Sequence, residues 1–480
     1  MLAQCVKYFP NILNEIGQIA DNHGFSVYVV GGFIRDLLLS DDPYSDVRMD
    51  LDFTIVGDAL EFTKLLQKEY NAKNVVVFER FGTTMLELNG YKLEFVTARE
   101  ESYLENSRKP MVKKADLKSD LARRDFTINT LAVGLNNNNW GKMYDPFNGM
   151  SDLDQKIIRT PLEPSITFKD DPLRILRAIR FATLLNFEID LGTERSITKM
   201  ASRLEIVSKE RITDEFFKIL SAPKPSTGLL LMDKLDVLAH VLPELIDMKG
   251  VEQRKGFHHK DVFYHTLIVV DNIAKVSDKL NLRLAALFHD VAKPQTKRFD
   301  EKVGWTFHGH DEIGARMMEG ISKRMRISND VKEFVQKLIR LHLRPIFLVS
   351  EDVTDSAIRR FIVQAGEELD DLLKLCRADI TSGNPKRVKE HLKNFDYVMS
   401  RVGEVMEKDQ LRGFQSPVRG EKIMEVCGIS PSPLVGKFKK AIEDAILDGK
   451  IPNEYDAALS YLEELKVELL HPGSLENSNR

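Results

Sequence analysis

A chain of 480 residues with 43% hydrophobic and 30% charged residues is composed like folded globular protein, not like a disordered chain, and its length predicts about three domains. The 69 Lys and Arg nearly balance 73 Asp and Glu, for a net charge of −4, which excludes a globally basic nucleic-acid coat but leaves room for a local basic groove. Cys5, Cys376 and Cys427 are too few and too scattered for a disulfide framework or a zinc knuckle, and they fit a reducing, cytoplasmic compartment. No run approaches the roughly 18 apolar residues of a membrane span, and Lys7, Pro10, Asn14 and Glu15 interrupt the N-terminal stretch before a signal-like segment forms.

In chain order, Ser26–Val30 reads as a buried strand, Gly31-Gly32 as a tight turn and Phe33–Leu39 as the start of a helix. Arg48–Val56 alternates, with Met49, Leu51, Phe53 and Ile55 on one face and Asp50, Asp52 and Thr54 on the other. Asn89-Gly90 between Met85–Leu88 and Tyr91–Thr97 signals a β-hairpin. Ser107–Arg124 carries seven Lys and Arg against two Asp, and such a run is ordinarily a solvated face. After Asp152 the texture turns helical, in runs such as Arg174–Leu185, Arg203–Leu220, Asp261–Ala274, Leu282–Val291, Ile313–Met325, Val331–Leu343 and Leu369–Asp379. Boundaries are expected near Asp145-Pro146, at Ala222–Pro225 and at Gly383–Pro385. The expected fold is α+β: a head with a small mixed β-sheet, followed by all-helical regions.

Asp50 and Asp52 stand two residues apart on one strand, so both point to one face. Paired carboxylates repel unless a cation lies between them, and hard oxygen ligands suit Mg²⁺ bridging to phosphates. Glu94, on the neighbouring hairpin strand and facing opposite to Leu93 and Phe95, is a candidate third carboxylate. An isolated Asp-x-Asp is more often a solvated strand face. Here it follows Gly31, Gly32 and Arg35 in a Gly-Gly-x-x-Arg-Asp strand-to-helix turn, where backbone N–H groups and a guanidinium meet an anion.

Together these residues resemble the nucleotidyltransferase superfamily, and more narrowly its class II branch of CCA-adding tRNA nucleotidyltransferases and bacterial poly(A) polymerases. Leu121–Asn129 (LARRDFTIN), Tyr144–Gly149 (YDPFNG) and Asp170–Arg177 (DDPLRILR) match further motifs of that branch in its order. The resemblance implies that Asp171 and Arg174 read the base of CTP or ATP, and that Asp170 stands where the family usually has Glu. It also implies that Arg177 reaches phosphates, with Arg180 continuing the row. It places Arg123, Arg124, Asp125 and Asn129 around the nucleotide, with one of the two arginines on the triphosphate. A carboxylate and a guanidinium complement the amino group and adjacent acceptor shared by cytosine and adenine. Because Pro172 favours a first helical turn, a plain N-cap role competes for Asp171; we expect the cap to fall on Asp170 instead.

A third set lies further on: His265, the His289-Asp290 pair, His310, His342 and Asp379. Their order resembles the HD phosphohydrolase superfamily, which implies a divalent transition metal on imidazole and carboxylate. The competing reading is that each histidine satisfies its own helix. His258, His259 and His308 have no assignment, and His23, His240, His391 and His471 are given no role.

The resemblance implies a nucleotidyltransferase head at 1–150 and a helical neck with the base-reading motif at 151–222. A helical HD domain would follow at 223–385, and a helical tail that is an RNA-binding candidate at 386–480. The expected activity is addition of C and A to the tRNA 3′ end from CTP and ATP on Mg²⁺, with no membrane partner. The alternatives are a poly(A) polymerase, an A-only or C-only enzyme, and an HD phosphohydrolase whose head merely binds RNA. Phe78–Thr83 lacks the short basic stretch of bacterial poly(A) polymerases, and intact Asp50 and Asp52 speak against a mere RNA-binding head.

Overall fold

The computed structural model describes residues 6–40, 50–102, 111–252, 261–348, 354–381, 384–409 and 416–470. Cys5, Arg48, Met49, the start of the basic run at 107–110, His258, His259, Gly383 and His471 lie outside them. The chain divides into two compact units, Met1–Ile246 and Asp247–Arg480.

In the first unit the strands are β1 (Ser26–Val30), β2 (Asp50–Val56), β3 (Val75–Phe78), β4 (Thr83–Leu88), β5 (Tyr91–Thr97), β6 (Arg99–Ser102), β7 (Met111–Lys114), β8 (Ala132–Gly134) and β9 (Met143–Tyr144). Seven of them form a mixed sheet in the order β3-β4-β5-β2-β1-β8-β9, while β6 and β7 pair as a separate ribbon. β2 runs parallel to β5, and the other neighbours are antiparallel. The β4–β5 turn has positive φ at both Asn89 (51°) and Gly90 (83°). This is the mirror-image turn that matches strand twist, as the Asn-Gly pair predicts. One sheet face buries Leu51, Phe53 and Phe95 against Phe62 and Leu66 of the Ala59–Tyr70 helix. Phe53 and Phe95 stack with ring centroids 4.6 Å apart. The opposite face carries the acidic residues, because side chains alternate along a strand.

The helical region departs from expectation in two places. Arg203–Leu220 is not one helix: a 3₁₀ segment spans Ala201–Ile206 and the α-helix starts at Lys209. Val207 and Ser208 are extended between them, and Val207 is drawn into the core. Short strands also interrupt the region. Ile157–Ile158 pairs in parallel with Glu188–Ile189, and Arg298–Asp300 forms a hairpin with Gly304–Thr306. Segments of two or three residues are too short to show a period.

The second unit packs helices Val262–Ala274, Leu280–Phe288, His310–Met325, Asn329–Leu341 and Leu369–Asp379 together. The helix Pro385–Asp409 follows, and three tail helices close on their own core of Ile423, Phe438, Ile442, Ala458 and Leu462. No helix among the described residues is long and apolar enough to cross a membrane.

Candidate active site and metal cluster

The first site begins where β1 ends. Gly31 has φ +80° and caps the helix Gly32–Leu39. A Cβ on Gly31 would sit 3.0 Å from an Arg124 guanidinium nitrogen and 3.5 Å from an Asp52 carboxylate oxygen. Backbone conformation and close approach therefore both require glycine. Asp50 and Asp52 project from β2 on the side opposite the buried Leu51 and Phe53, and the parallel register sets Asp52 beside Glu94. The protein packed around the Asp52 carboxyl raises its pKa and Asp50 adds to the rise, while Arg124 and Arg177 oppose it. Glu94 is likewise raised, first by burial and then by Asp52. These carboxylates are crowded enough to favour a bound cation.

The two arginines of the LARRD segment separate clearly. Arg123 donates twice to Asp120 Oδ1, at 2.9 and 2.6 Å. Arg124 lies 3.7 Å from Asp120 and 3.4 Å from the Thr54 hydroxyl, its Nε buried with no partner, and it faces Asp52 and Gly31. Of the two, Arg124 is the one that faces the Asp52 carboxylate and the Gly31 turn. Asp120, which the sequence reading missed, is fully buried and accepts from Thr54 at 2.9 Å. Burial works against its charge, but Arg123 and Arg124 hold its pKa below the ordinary carboxylate value. Its only sequence signal is an acidic residue inside a basic run.

Asp125 and Asn129 lie behind this face. Asn129 donates to Asp125 at 2.9 Å and accepts from Arg35 at 2.7 Å, and Arg177 clamps Asp125 through two bonds of 2.8 and 2.5 Å. Burial opposes ionisation of Asp125, yet Arg177 and Asn129 hold its carboxyl well below the usual range. This places three expected nucleotide contacts differently. Arg35 is buried, pairs with Asp36 at 2.8 Å and lies over the Phe181 ring, so its guanidinium is engaged within the protein. Arg180 pairs with Glu215 at 2.6 Å and also lies on Phe181, 4.1 Å from its centroid. Arg177 serves both sides: it holds Asp125 and still acts electrostatically on Asp52. Glu215, too far along the chain to be linked by spacing, and Phe181 join the network only in three dimensions.

Asp171 departs from expectation. Its carboxylate, and not that of Asp170, accepts from the Leu173 N–H at 3.2 Å, at the start of the helix Leu173–Leu185, whose cap position is Pro172. The reason is reach, since Asp170 still belongs to the preceding helix Pro164–Asp170. The other Asp171 oxygen accepts from Arg211 at 2.7 Å. Arg174 donates to the Arg123 carbonyl at 2.6 Å, which ties the base-reading motif to the LARRD segment.

The second unit brings all six residues of the HD pattern together. Asp290 lies between His289 at 3.2 Å, His265 at 3.6 Å, His310 at 3.4 Å and His342 at 3.9 Å, and Asp379 approaches His265 at 2.8 Å and His289 at 3.4 Å. Nδ1 of His289, His310 and His342 lies 2.8, 2.6 and 2.6 Å from the carbonyls of Ala286, Phe307 and Ile339, and Nδ1 of His265 lies 2.8 Å from the Thr381 hydroxyl. A carbonyl can only accept, so Nδ1 of His289, His310 and His342 carries a proton, and in the neutral ring Nε2 presents a lone pair. Among the described residues, the Nε2 atoms of His289, His310 and His342 and one Asp290 oxygen are buried without a hydrogen-bond partner. Orphaned lone pairs of this kind fit a divalent metal. Two donor groups are present, His265 with His289 and Asp379, and Asp290 with His310 and His342. With no cation in the site, burial disfavours a charged His289, but Asp290 and Asp379 prevail and raise its pKa to about 10, so a metal would have to displace the Nε2 proton; burial takes His342 down to about 4.

Comparison with known proteins agrees with this geometry. The Poly A polymerase head domain matches residues 27–159, the probable RNA and SrmB-binding site of polymerase A matches residues 186–249, and the HD domain matches residues 262–379. An A-adding tRNA nucleotidyltransferase of Deinococcus radiodurans is 33% identical over 353 residues, 71% of this chain and 78% of that protein. A CC-adding tRNA nucleotidyltransferase of Thermus thermophilus is 31% identical over 445 residues, 90% of this chain and 92% of that protein. A crystal structure of a tRNA nucleotidyltransferase complexed with a primer tRNA and an incoming ATP analog superposes with a TM-score of 0.56 at 27% identity, covering 80% of this chain and 99% of that one. The chain belongs to the tRNA nucleotidyltransferase family, and it is a transferase that carries an HD domain behind its head.

Proposed function

We propose that the chain adds C and A to the 3′ end of tRNA from CTP and ATP without a nucleic-acid template. The observation that carries this is the convergence of Asp50, Asp52 and Glu94 beside Gly31 and Arg124 on one sheet face. The 3′ oxygen bonds to the α-phosphorus, and the bond to the pyrophosphate oxygen breaks. Asp50, Asp52 and Glu94 offer only oxygen donors, which suits Mg²⁺. When bound, such an ion lowers the pKa of the attacking hydroxyl and neutralises charge on the leaving group. Arg124 holds the triphosphate, and Gly31 lets the nucleotide approach the backbone. Asp125 and Asn129 position Arg177, while Arg123, Arg35 and Arg180 brace the site from behind. Asp171 and Arg174 pair with the amine and acceptor that cytosine and adenine share, and guanine and uracil would leave them unmatched. The tail would hold tRNA by its phosphates and shape. A second reading, addition of A alone or C alone, is favoured by the A-adding and CC-adding relatives. Transcripts ending before, within and after CCA, each given one NTP, separate the readings; absence of incorporation on all of them overturns both.

We further propose that the HD cluster is a metal-dependent phosphohydrolase. The support is the set of orphaned Nε2 atoms around Asp290. Asp290 belongs to one donor group and approaches the other through His265 and His289, and bonds to Nδ1, from three backbone carbonyls and the Thr381 hydroxyl, fix the imidazoles. A mixed nitrogen and oxygen donor set suits a transition metal, which when bound activates water and binds phosphate oxygens. Protein purified without chelator is expected to hold the metal and release phosphate from phosphomonoesters; metal-replete protein inactive on them overturns this reading.

A further inference from the structure

The two flanks of the strand that carries Asp50 and Asp52 are unlike. β2 lies between β1 and β5 in the sheet. On the β1 flank, Gly31 opens the helix Gly32–Leu39 and Arg124 faces it, and there the triphosphate is proposed to lie. In phosphoryl transfer the attacking and leaving oxygens stand roughly in line across the phosphorus. Pyrophosphate that leaves toward β1 therefore puts the attacking 3′ oxygen, and the RNA that carries it, on the β5 flank.

That flank offers a continuous row of side chains. Register sets Asp52, Glu94, Met85 and Val76 side by side on β2, β5, β4 and β3, and residues directly opposite one another share a sheet face. At about 4.8 Å per strand, the row runs about 14 Å from Asp52 to Val76. Phe78, two residues beyond Val76, falls on the same face. Val76 is 51% exposed, Phe78 45% and Met85 38%, so an apolar surface adjoins the carboxylates. Lys92 stands one row away on that face, between Asp50 of β2 and Glu87 of β4. It is exposed, and among the described residues it forms no hydrogen bond or ion pair, although two carboxylates flank it. Arg99, whose charge also acts on Glu94, is instead held by the Phe81 carbonyl and the Thr83 hydroxyl. An uncommitted ammonium beside an apolar row with an aromatic ring suits single-stranded RNA, whose phosphates seek a cation and whose bases stack whatever their identity.

We propose that β3, β4 and β5 bind the 3′ end of the RNA primer, with Lys92 on its last phosphodiester and Met85, Val76 and Phe78 under its bases. The proposal rests on reading the carboxylate face as a nucleotidyltransferase site with the triphosphate at Gly31 and Arg124, and it places the other substrate. Val77, exposed on the opposite face, marks β3 as an edge strand open on both sides, so pairing of two copies along β3 is the competing occupant.

The test uses the full chain. A tRNA transcript ending in a photoreactive thiouridine is bound without NTP and irradiated, and the joined peptide is mapped. Attachment within residues 75–94 is expected. Attachment on the β1 flank or outside the sheet, or none at all, overturns the assignment. This readout needs no incorporation, so a protein that adds no nucleotide loses the transferase reading while the primer side is still scored. In the addition assay, Lys92→Ala should raise KM for tRNA about tenfold and leave KM for CTP and ATP unchanged. A lysine that only offsets the repulsion between Asp50 and Glu87 would move kcat and the nucleotide KM instead, which overturns the contact. A tRNA whose last phosphodiester is an uncharged methylphosphonate completes the cycle: wild type should lose about tenfold on it and Lys92→Ala nothing more, whereas additive losses overturn the contact. Val76→Ser with Phe78→Ser should weaken tRNA retention on filters about fivefold or more with an unchanged melting temperature. Full tRNA binding by that variant, together with loss of a dimer in sedimentation, would assign the row to pairing of copies and overturn its role for RNA.

Discussion

Asp52 is the residue on which the transferase face turns, because it touches the most of it: Asp50 on its own strand, Glu94 across the register, and Arg124 and Gly31 beside it. Asp52→Asn keeps the shape and removes the charge. It should lower nucleotide incorporation by about three orders of magnitude or more, which corresponds to about 4 kcal/mol of transition-state stabilisation, while tRNA binding measured by filter retention stays near wild type. Incorporation within tenfold of wild type would remove Asp52 from the chemistry. Asp171 carries two jobs, the cap on Leu173 and the proposed reading of the base, and two substitutions separate them. Asp171→Ala should lose about 1 kcal/mol of stability with the cap and also its preference for CTP and ATP. Asp171→Asn can still cap, so its melting temperature should stay close to wild type while discrimination against UTP and GTP falls. If Asn retained full selectivity, the cap would be its whole role.

At the scale of elements, the helix Leu173–Leu185 is fastened to the head through charges and not only through its apolar face. Arg174 reaches the Arg123 carbonyl, Arg177 holds Asp125, and Arg180 holds Glu215 on the helix Lys209–Leu220. Arg35, Arg177 and Arg180 all lie over the Phe181 ring, at 4.8, 5.5 and 4.1 Å from its centroid. The Asp125–Arg177 pair gives this joint a pH dependence. The folded pKa of Asp125 lies below its unfolded value, so the pair contributes fully above about pH 4 and its contribution fades as pH falls toward the folded pKa. Asp125→Asn should cost about 3 kcal/mol at pH 7, the low end for breaking a buried pair because Arg177 retains some solvent access. Denaturant melts across pH should show the gap between wild type and variant constant from pH 7 to about 5 and narrowing below about 4. A gap that widens on acidification would contradict the assignment.

At the scale of the whole molecule, the two candidate sites belong to different compact units, the carboxylates of β2 and β5 to the first and the histidine cluster to the second. His289→Ala with Asp290→Ala should therefore abolish bound transition metal and phosphate release but leave nucleotide addition within about twofold of wild type. Chelator should lower the melting temperature of the second unit, since a metal that binds only the folded site contributes to its stability. A well-folded double variant that fails to add nucleotides would show that the cluster serves tRNA instead.

Much of this was legible along the chain, because local physics writes itself into short spacings. Alternation along β2 put Asp50 and Asp52 on one face, Asn89-Gly90 fixed a hairpin through its need for positive φ, and a glycine pair after a strand marked the approach to the backbone. The helical texture after Asp152 came from a period long enough to read, whereas strands of two or three residues had none. What the sequence could not decide was which charged group meets which. Arg123 and Arg124 are neighbours of the same type, and only the fold shows that Arg123 bonds Asp120 closely while Arg124 faces Asp52 and Gly31. Arg35 and Arg180 looked available for phosphate until packing around Phe181 gave them Asp36 and Glu215. Backbone conformation depends on neighbours a few residues away, so the sequence determines it nearly alone; pairs such as Arg177–Asp125 and the histidine–aspartate cluster join residues tens of positions apart, and only the tertiary fold decides them.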